Sequence, residues 1–324
     1  MTLPALTKTW LQSSTTITAG ASTAATIKAS WIALWNGLKS LGCTHVASSN
    51  GVTTSTSSDL WASASDIVIQ TTTHSWLIFQ MPVTGRQYMI DLDVSTNTQN
   101  VLLYASASGG WTGAGAGTTS APPTASDQWV VGTGAAAAGM ALPSNVNQAI
   151  HIFMSDDGEL FRIYFCRSNV CPATWILDKF RPVLTNPSAL TSPYVNGIKS
   201  TTSAADAPLI ASLGGSGSAM AIRQSTSTVQ AQFLQPYNTT SDSIVARGAT
   251  KNTFVGASVY DVGPIAVAVI DTSYRGVMGT MVDLFYAPSA LTTGDTAPTG
   301  GGAAQFCVFG DLLQPCNTAP NCNP

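Results

Sequence analysis

Six cysteines carry the most specific chemistry in this chain of 324 residues: Cys43, Cys166, Cys171, Cys307, Cys316 and Cys322. Cys166 and Cys171 flank "RSNV" at the end of a β-rich run. That C-x4-C spacing is poor for a zinc knuckle and suits a disulfide across a turn, so the two are the expected intrachain pair. Cys307, Cys316 and Cys322 fall in the closing segment "FCVFGDLLQPCNTAPNCNP". Cys316 and Cys322 bracket the polar stretch "NTAPN", which offers no core of its own to bury a thiol. With Cys307 they are the expected interchain disulfide sulfurs. The plainer alternative is six reduced thiols, several of them buried. Connectivity stays open, because six cysteines allow 15 complete pairings within one chain.

The other candidate groups point away from catalysis. His45, His74 and His151 are far apart and none sits in an H-x-x-x-H or H-E-x-x-H pattern, so no metal ligands are assigned. Asp91 and Asp93 alternate with Ile90, Leu92 and Val94, which reads as the wet face of a half-buried strand. "DDGE" at 156–159 lacks the spacing of a calcium loop and reads as a hairpin turn. There is no G-x-S-x-G elbow and no Walker loop, and "GAGAG" at 113–117 does not open a helix after a strand. The expectation is a non-enzyme with no catalytic residue, cofactor or metal.

The elements that must position these groups are mostly strands. One helix is predicted over 21–42, where Ile27, Trp31, Leu34, Trp35 and Leu38 recur on one face of a 3.6-residue period. Gly42 follows as a C-cap residue, with Lys39 in the last turn. This face is a candidate docking surface for a neighbouring subunit; the simpler use for it is to cover the protein's own sheet. Beyond the helix the period changes to two. Strands are predicted at 76–81, 87–95 and 100–106. "AIHIFMSDDGELFRIYF" at 149–165 reads as a hairpin with a primed Asp-Gly turn, and 173–180 as the third strand of a meander. Residues 105–142 are low in complexity and read as a loop with one strand near "QWVV". Further strands are predicted at 220–236, 263–272, 279–288 and 305–313. The fold class expected is mainly β: antiparallel β-sandwich-like domains with one N-terminal amphipathic helix. The expected divisions are an arm and helix at 1–50, a β-rich domain at 51–185, and a second β-rich domain with its cysteine-containing tail at 186–324.

Only 9% of residues are charged and the formal net charge is −3, against about 25% charged in an ordinary domain. Glu159 is the single glutamate. No basic surplus exists to neutralise a phosphate backbone, so nucleic acid is not an expected partner. The longest apolar run, "PIAVAVI" at 264–270, is far short of a membrane span, and no membrane partner is expected. The opening "MTLPALTKTW" lacks the regions of an export signal. A surface this poor in charge is poorly protected against association, and interface cores are depleted in Lys, Glu and Asp. A homo-oligomer is therefore expected. Disulfides persist in oxidising settings, virion surfaces among them. A particle assembled in cytoplasm and released by lysis would meet oxygen without any export signal.

Several stretches resemble a group of largely uncharacterised structural proteins of tailed bacteriophages. They are "LPALTKTW", "SDLWASASDIVIQTTTHSWLIFQ", "APPTASDQWVV", "IHIFMSDDGELFRIYF" and "GVMGTMVDLFYAPSALTTGDTAPTGGGAAQFCVFGDLLQPCN". The resemblance covers most of the chain, with "HSWLIF" and the "GD…FGDL…P" ending its best-marked pieces. It implies a virion component of the tail, neck or collar, made in the host cytoplasm, whose partners are copies of itself and other virion structural proteins. It carries no catalytic residues. The extra C-terminal cysteines depart from the group's pattern. The rival expectation is a receptor- or glycan-binding module at the tail tip, with Trp111 and Trp129 as a sugar-stacking platform.

Overall fold

The computed structural model describes residues 5–17, 24–48, 74–93, 99–106, 111–112, 124–125, 129–130, 140–142, 147–167, 169–179, 181–182, 194–200, 218–223, 228–234, 264–270, 274–286, 291–297, 306–310 and 312–323. In chain order these form β1 (Trp10–Ile17), helix α1 (Ala24–Ser40), β2 (Thr44–Ser48), β3 (His74–Gln80), β4 (Gln87–Asp93) and β5 (Gln99–Ser106). Four short pieces follow: β6 (Trp111–Thr112), β7 (Thr124–Ala125), β8 (Trp129–Val130) and β9 (Met140–Leu142). The central meander is β10 (Gln148–Ser155), β11 (Leu160–Arg167) and β12 (Val170–Lys179), followed by β13 (Arg181–Pro182) and β14 (Tyr194–Ser200). Next come β15 (Ser218–Arg223), β16 (Thr228–Leu234), β17 (Pro264–Ile270) and β18 (Tyr274–Tyr286). The last are β19 (Thr296–Ala297), β20 (Phe306–Phe309) and β21 (Leu312–Pro315). Most of the described residues lie in strands. With antiparallel pairing throughout and a single described helix, the mainly β expectation stands.

Thirteen strands form one sheet, in the order β1-β10-β11-β12-β14-β15-β16-β17-β18-β21-β20-β19 with β13 on β18. Six form a second, β2-β3-β4-β5-β8 with β9 on β5. The large sheet runs from the N-terminal arm to the tail. It crosses residue 185, where β12 pairs with β14 and β13 with β18. The divisions expected at 50 and 185 therefore do not follow the sheets: β1 joins β10 and β2 joins β3.

The hairpin β10–β11 is the central layer, and it is buried on both faces along almost its whole length. Alternation sends Phe161, Ile163 and Phe165 to one face and Arg162, Tyr164 and Cys166 to the other. On the first face Phe161 meets Phe79 of β3 and Tyr88 of β4, at 5.8 and 5.9 Å between ring centroids, which joins the two sheets. Helix α1 covers the same side. At Gly37 the helix comes so close to β10 that a Cβ would lie 3.0 Å from Ile152 Cδ1. On the second face Tyr164 stacks on Phe309 of β20 at 4.2 Å, and Phe153 meets the same ring edge-on at 5.6 Å. These aromatic pairs each add stabilisation beyond the area they bury.

A polar network lies inside this second layer. Arg162, fully buried, donates to the Asp283 and Val282 carbonyls and to Gln314 Oε1, and lies 4.5 Å over the Trp10 ring. Asp283 adopts φ +50 within β18. Its carboxylate accepts from the Thr7 and Lys8 N–H groups, the Thr7 hydroxyl and Trp10 Nε1. The N-terminal arm is thereby fixed to the far end of the chain.

Local signals explain the element ends. Helix α1 stops in a Schellman motif: Cys43 N–H bonds Leu38 O, Gly42 N–H bonds Lys39 O, and Gly42 takes φ +88. The β10–β11 turn differs from the primed form expected. Gly158 N–H bonds Ser155 O, and Gly158 alone in that turn is left-handed. The run at 220–236 divides into β15 and β16, and the run at 305–313 divides at Gly310 into β20 and β21.

Candidate functional site

Three separated pieces of sequence meet beside the β10–β11 hairpin. His151 lies on β10, directly opposite Tyr164, and its alternating position places it on the second face with Cys166 of β11. The ladder between β11 and β12 shifts register between Phe165 and Arg167. This irregularity puts Cys171 beside Cys166, as such bulges commonly re-aim side chains. Cys322 comes from the C-terminal tail. His151, Cys166 and Cys322 place their ligand atoms within 4.8 Å of one another. The closest described approach, Cys322 Sγ to His151 Nε2, is 3.9 Å. All three residues and Cys171 are at most 2% exposed.

The tail is tied down on both sides of this cluster. Asn317 N–H donates to Gln12 Oε1 at 3.0 Å, Gln12 Nε2 donates to Thr318 O at 3.2 Å, and Asn317 Nδ2 donates to Trp10 O at 2.9 Å. Asn169, left-handed at φ +59 in the β11–β12 turn, donates its N–H to Cys322 O at 3.1 Å. An asparagine suits that conformation. Gly294, at φ +96, lets the tail pass closely: a Cβ there would sit 3.6 Å from Cys322 Cβ. Ser14 Oγ lies 2.9 Å from His151 Nδ1 and orients the ring.

Burial sets the electrostatics. It pushes His151 down to about 4, opposed only in part by the nearby Asn321 carbonyl. Burial, reinforced by the Cys171 and Cys322 thiols, holds Cys166 well above the ordinary thiol range. Cys43, buried elsewhere and away from this group, is pushed up to about 12 by desolvation. Together these buried groups join the C-terminal tail to the central hairpin.

The other sulfurs correct the expected pairings. Cys307 and Cys316 are bonded to each other, at 6.0 Å between Cα atoms. The interchain role expected of them gives way to an intrachain bond, because the β20–β21 hairpin returns the chain to its own start: Phe306 pairs with Pro315, the residue before Cys316. Cys322, the third expected interchain sulfur, is turned inward at 2% exposure. Cys166 and Cys171, expected as a disulfide, are neighbours with no disulfide between them. The helix face is likewise used within the chain. Leu34, Trp35 and Leu38 are buried at 6%, 4% and 0% exposure, so they do not face a second subunit. Ile27 and Trp31 lie in α1, but their side chains are outside the described residues. Trp111 and Trp129 fall in β6 and β8, and their side chains too are outside the described set.

Of the cluster, only the sulfurs Cys166, Cys171 and Cys322 were legible as candidates. His151 was set aside as an isolated strand residue, and Ser14, Gln12, Asn169 and Gly294 gave no signal. Cys322 lies 171 positions from His151, a separation no spacing rule bridges. Compared with protein-family models, with curated proteins and with solved structures, the chain matches none.

Proposed function

We propose that this chain is a structural subunit of a tailed-phage virion, in the tail, neck or collar region, that associates with copies of itself and with other virion proteins. The observation that carries the reading is strand β1. It ends the thirteen-stranded sheet and, among the described residues, pairs with β10 alone. Its sequence, WLQSSTTI, holds no charge and no proline. Soluble monomers commonly protect such an edge with lysine, proline or a bulge, because the unpaired N–H and C=O groups otherwise accept another strand. Leu11 on this strand is 39% exposed. The rest of the exterior agrees: of the charged side chains whose exposure is described, only Asp156 is exposed. The resemblance of the sequence segments quoted above supplies the setting, and a charge-poor exterior with an open edge supplies the means of assembly.

In this reading subunits associate through non-covalent edges and faces, and the Cys307–Cys316 bond locks each chain's own tail. The test is a gel of purified particles, alkylated before denaturation and run with and without reductant, with bands identified by peptide mass. The chain should be abundant and run as a monomer in both lanes. Its absence from the particle overturns the virion assignment. Multimers seen only without reductant overturn the intrachain pairing.

A further inference from the structure

A polar tail has no evident reason to bury one of its residues. Asn321 and Asn323 are exposed, yet Cys322 between them is 2% exposed and faces an imidazole and a thiol. We propose that His151 Nε2, Cys166 Sγ and Cys322 Sγ, completed by Cys171 Sγ, form a closed tetrahedral site for a thiophilic divalent cation such as Zn2+, which fastens the C-terminal tail to the central hairpin.

The donor set is the three-cysteine, one-histidine set of structural zinc sites. Zinc lies about 2.3 Å from sulfur and about 2.0–2.1 Å from nitrogen, so a tetrahedral site needs about 3.6 Å between a sulfur and a nitrogen ligand. Cys322 Sγ and His151 Nε2 stand 3.9 Å apart. Within the His151, Cys166 and Cys322 triad every separation is within 4.8 Å and needs only small side-chain rotations to reach the about 3.8 Å of two sulfurs on one ion. Cys171, which lies against Cys166 but outside that triad, has to turn in to complete it. The supporting shell is already present. Ser14 Oγ at His151 Nδ1 leaves Nε2 facing the sulfurs, the arrangement by which outer partners fix a ligating histidine. Asn169 holds the Cys322 backbone, and the bulge brings in Cys171. On binding, the three thiol protons leave to solvent and the imidazole stays neutral. The ion's two positive charges against three thiolates leave the loaded site with one net negative charge.

The test uses the full chain purified anaerobically. Added Co2+ should give a thiolate-to-cobalt charge-transfer band and the intense d–d bands of a tetrahedral ion, at one ion per chain, and Zn2+ should displace it. Zinc should protect Cys166, Cys171 and Cys322 from alkylation under native conditions, and a chelator should remove that protection. Cys171→Ser should shift the cobalt spectrum to fewer thiolates. Ser14→Ala should weaken binding by about 10–100-fold, as outer-shell changes do, and Cys322→Ser by more. Cys43→Ala, a buried thiol elsewhere, should leave binding intact. A folded wild-type chain that gives no tetrahedral cobalt spectrum overturns the proposal, and this holds even if a variant fails to fold. So does a disulfide from Cys166 to Cys171 or Cys322 in the anaerobic protein. A spectrum unchanged by Cys171→Ser overturns the four-ligand assignment.

Discussion

At the scale of single residues, two buried groups set measurable terms. The Asp283 carboxylate accepts from Thr7 N–H at 3.0 Å, the Thr7 hydroxyl at 2.6 Å, Lys8 N–H at 2.9 Å and Trp10 Nε1 at 3.2 Å. Removing it orphans these donors, two of them on the arm's backbone. Asp283→Ala should cost about 3–5 kcal/mol in denaturant unfolding. Asp283→Asn, which tolerates φ +50 and keeps one acceptor oxygen, should cost less. A loss below about 1 kcal/mol for the alanine variant would show that the arm is not held this way. His45 is the second group. It is 4% exposed, both ring nitrogens lack a hydrogen-bond partner, and burial lowers it from 6.5 to about 4. The folded state therefore resists protonation. The contribution is complete above pH 6.5 and is lost as pH falls from there toward 4. Its slope approaches about 1.4 kcal/mol per pH unit. His45→Phe, which keeps an aromatic ring against Trp35, should flatten the acid limb of a stability–pH profile by about that slope. An unchanged profile would mean that His45 is not buried in its neutral form.

At the scale of elements, the terminal hairpin offers the clearest test. The Cys307–Cys316 bond closes a nine-residue separation across β20–β21. A ring that small restricts the unfolded chain by about 2–3 kcal/mol. Cys307→Ser should lose about that much in non-reducing thermal unfolding and nothing more once reductant is present. Equal stability in both conditions would mean that the bond does not form. This pairing also marks how far local sequence carries. The β10–β11–β12 meander was legible from alternation and the Asp157-Gly158 turn, because each strand pairs with its sequence neighbour. Helix α1 was legible from its apolar stripe and Gly42. By contrast, β1 on β10 and β13 on β18 join residues about a hundred positions apart or more, and no local pattern encodes such partners. The choice among Cys307, Cys316 and Cys322 depended on where Gly310 turned the chain, and one presumed strand hid that turn. Burial of β10 on both faces was hidden for a related reason. The residues that cover the face of His151, Phe309 and the tail, come from far along the chain.

At the scale of the whole molecule, the chain closes on itself at both ends. The arm reaches Asp283, the tail reaches Gln12 and His151, and Arg162 bonds to β18 and β21 between them. Among the described residues the edge strand β1 pairs with β10 alone, with the tail bonded to it at Trp10 O and Gln12, and few of the chain's residues are charged. The central claim is that this edge assembles subunits. The most direct measurement is sedimentation velocity of the full-length chain beside the double variant Leu11→Lys, Thr16→Lys. These two positions are exposed on β1, and the lysines place charge on the edge. The account predicts concentration-dependent oligomers for the wild type and a monomer of unchanged circular dichroism for the variant. A wild-type chain that stays monomeric at every concentration, or a variant that assembles equally well, would contradict it.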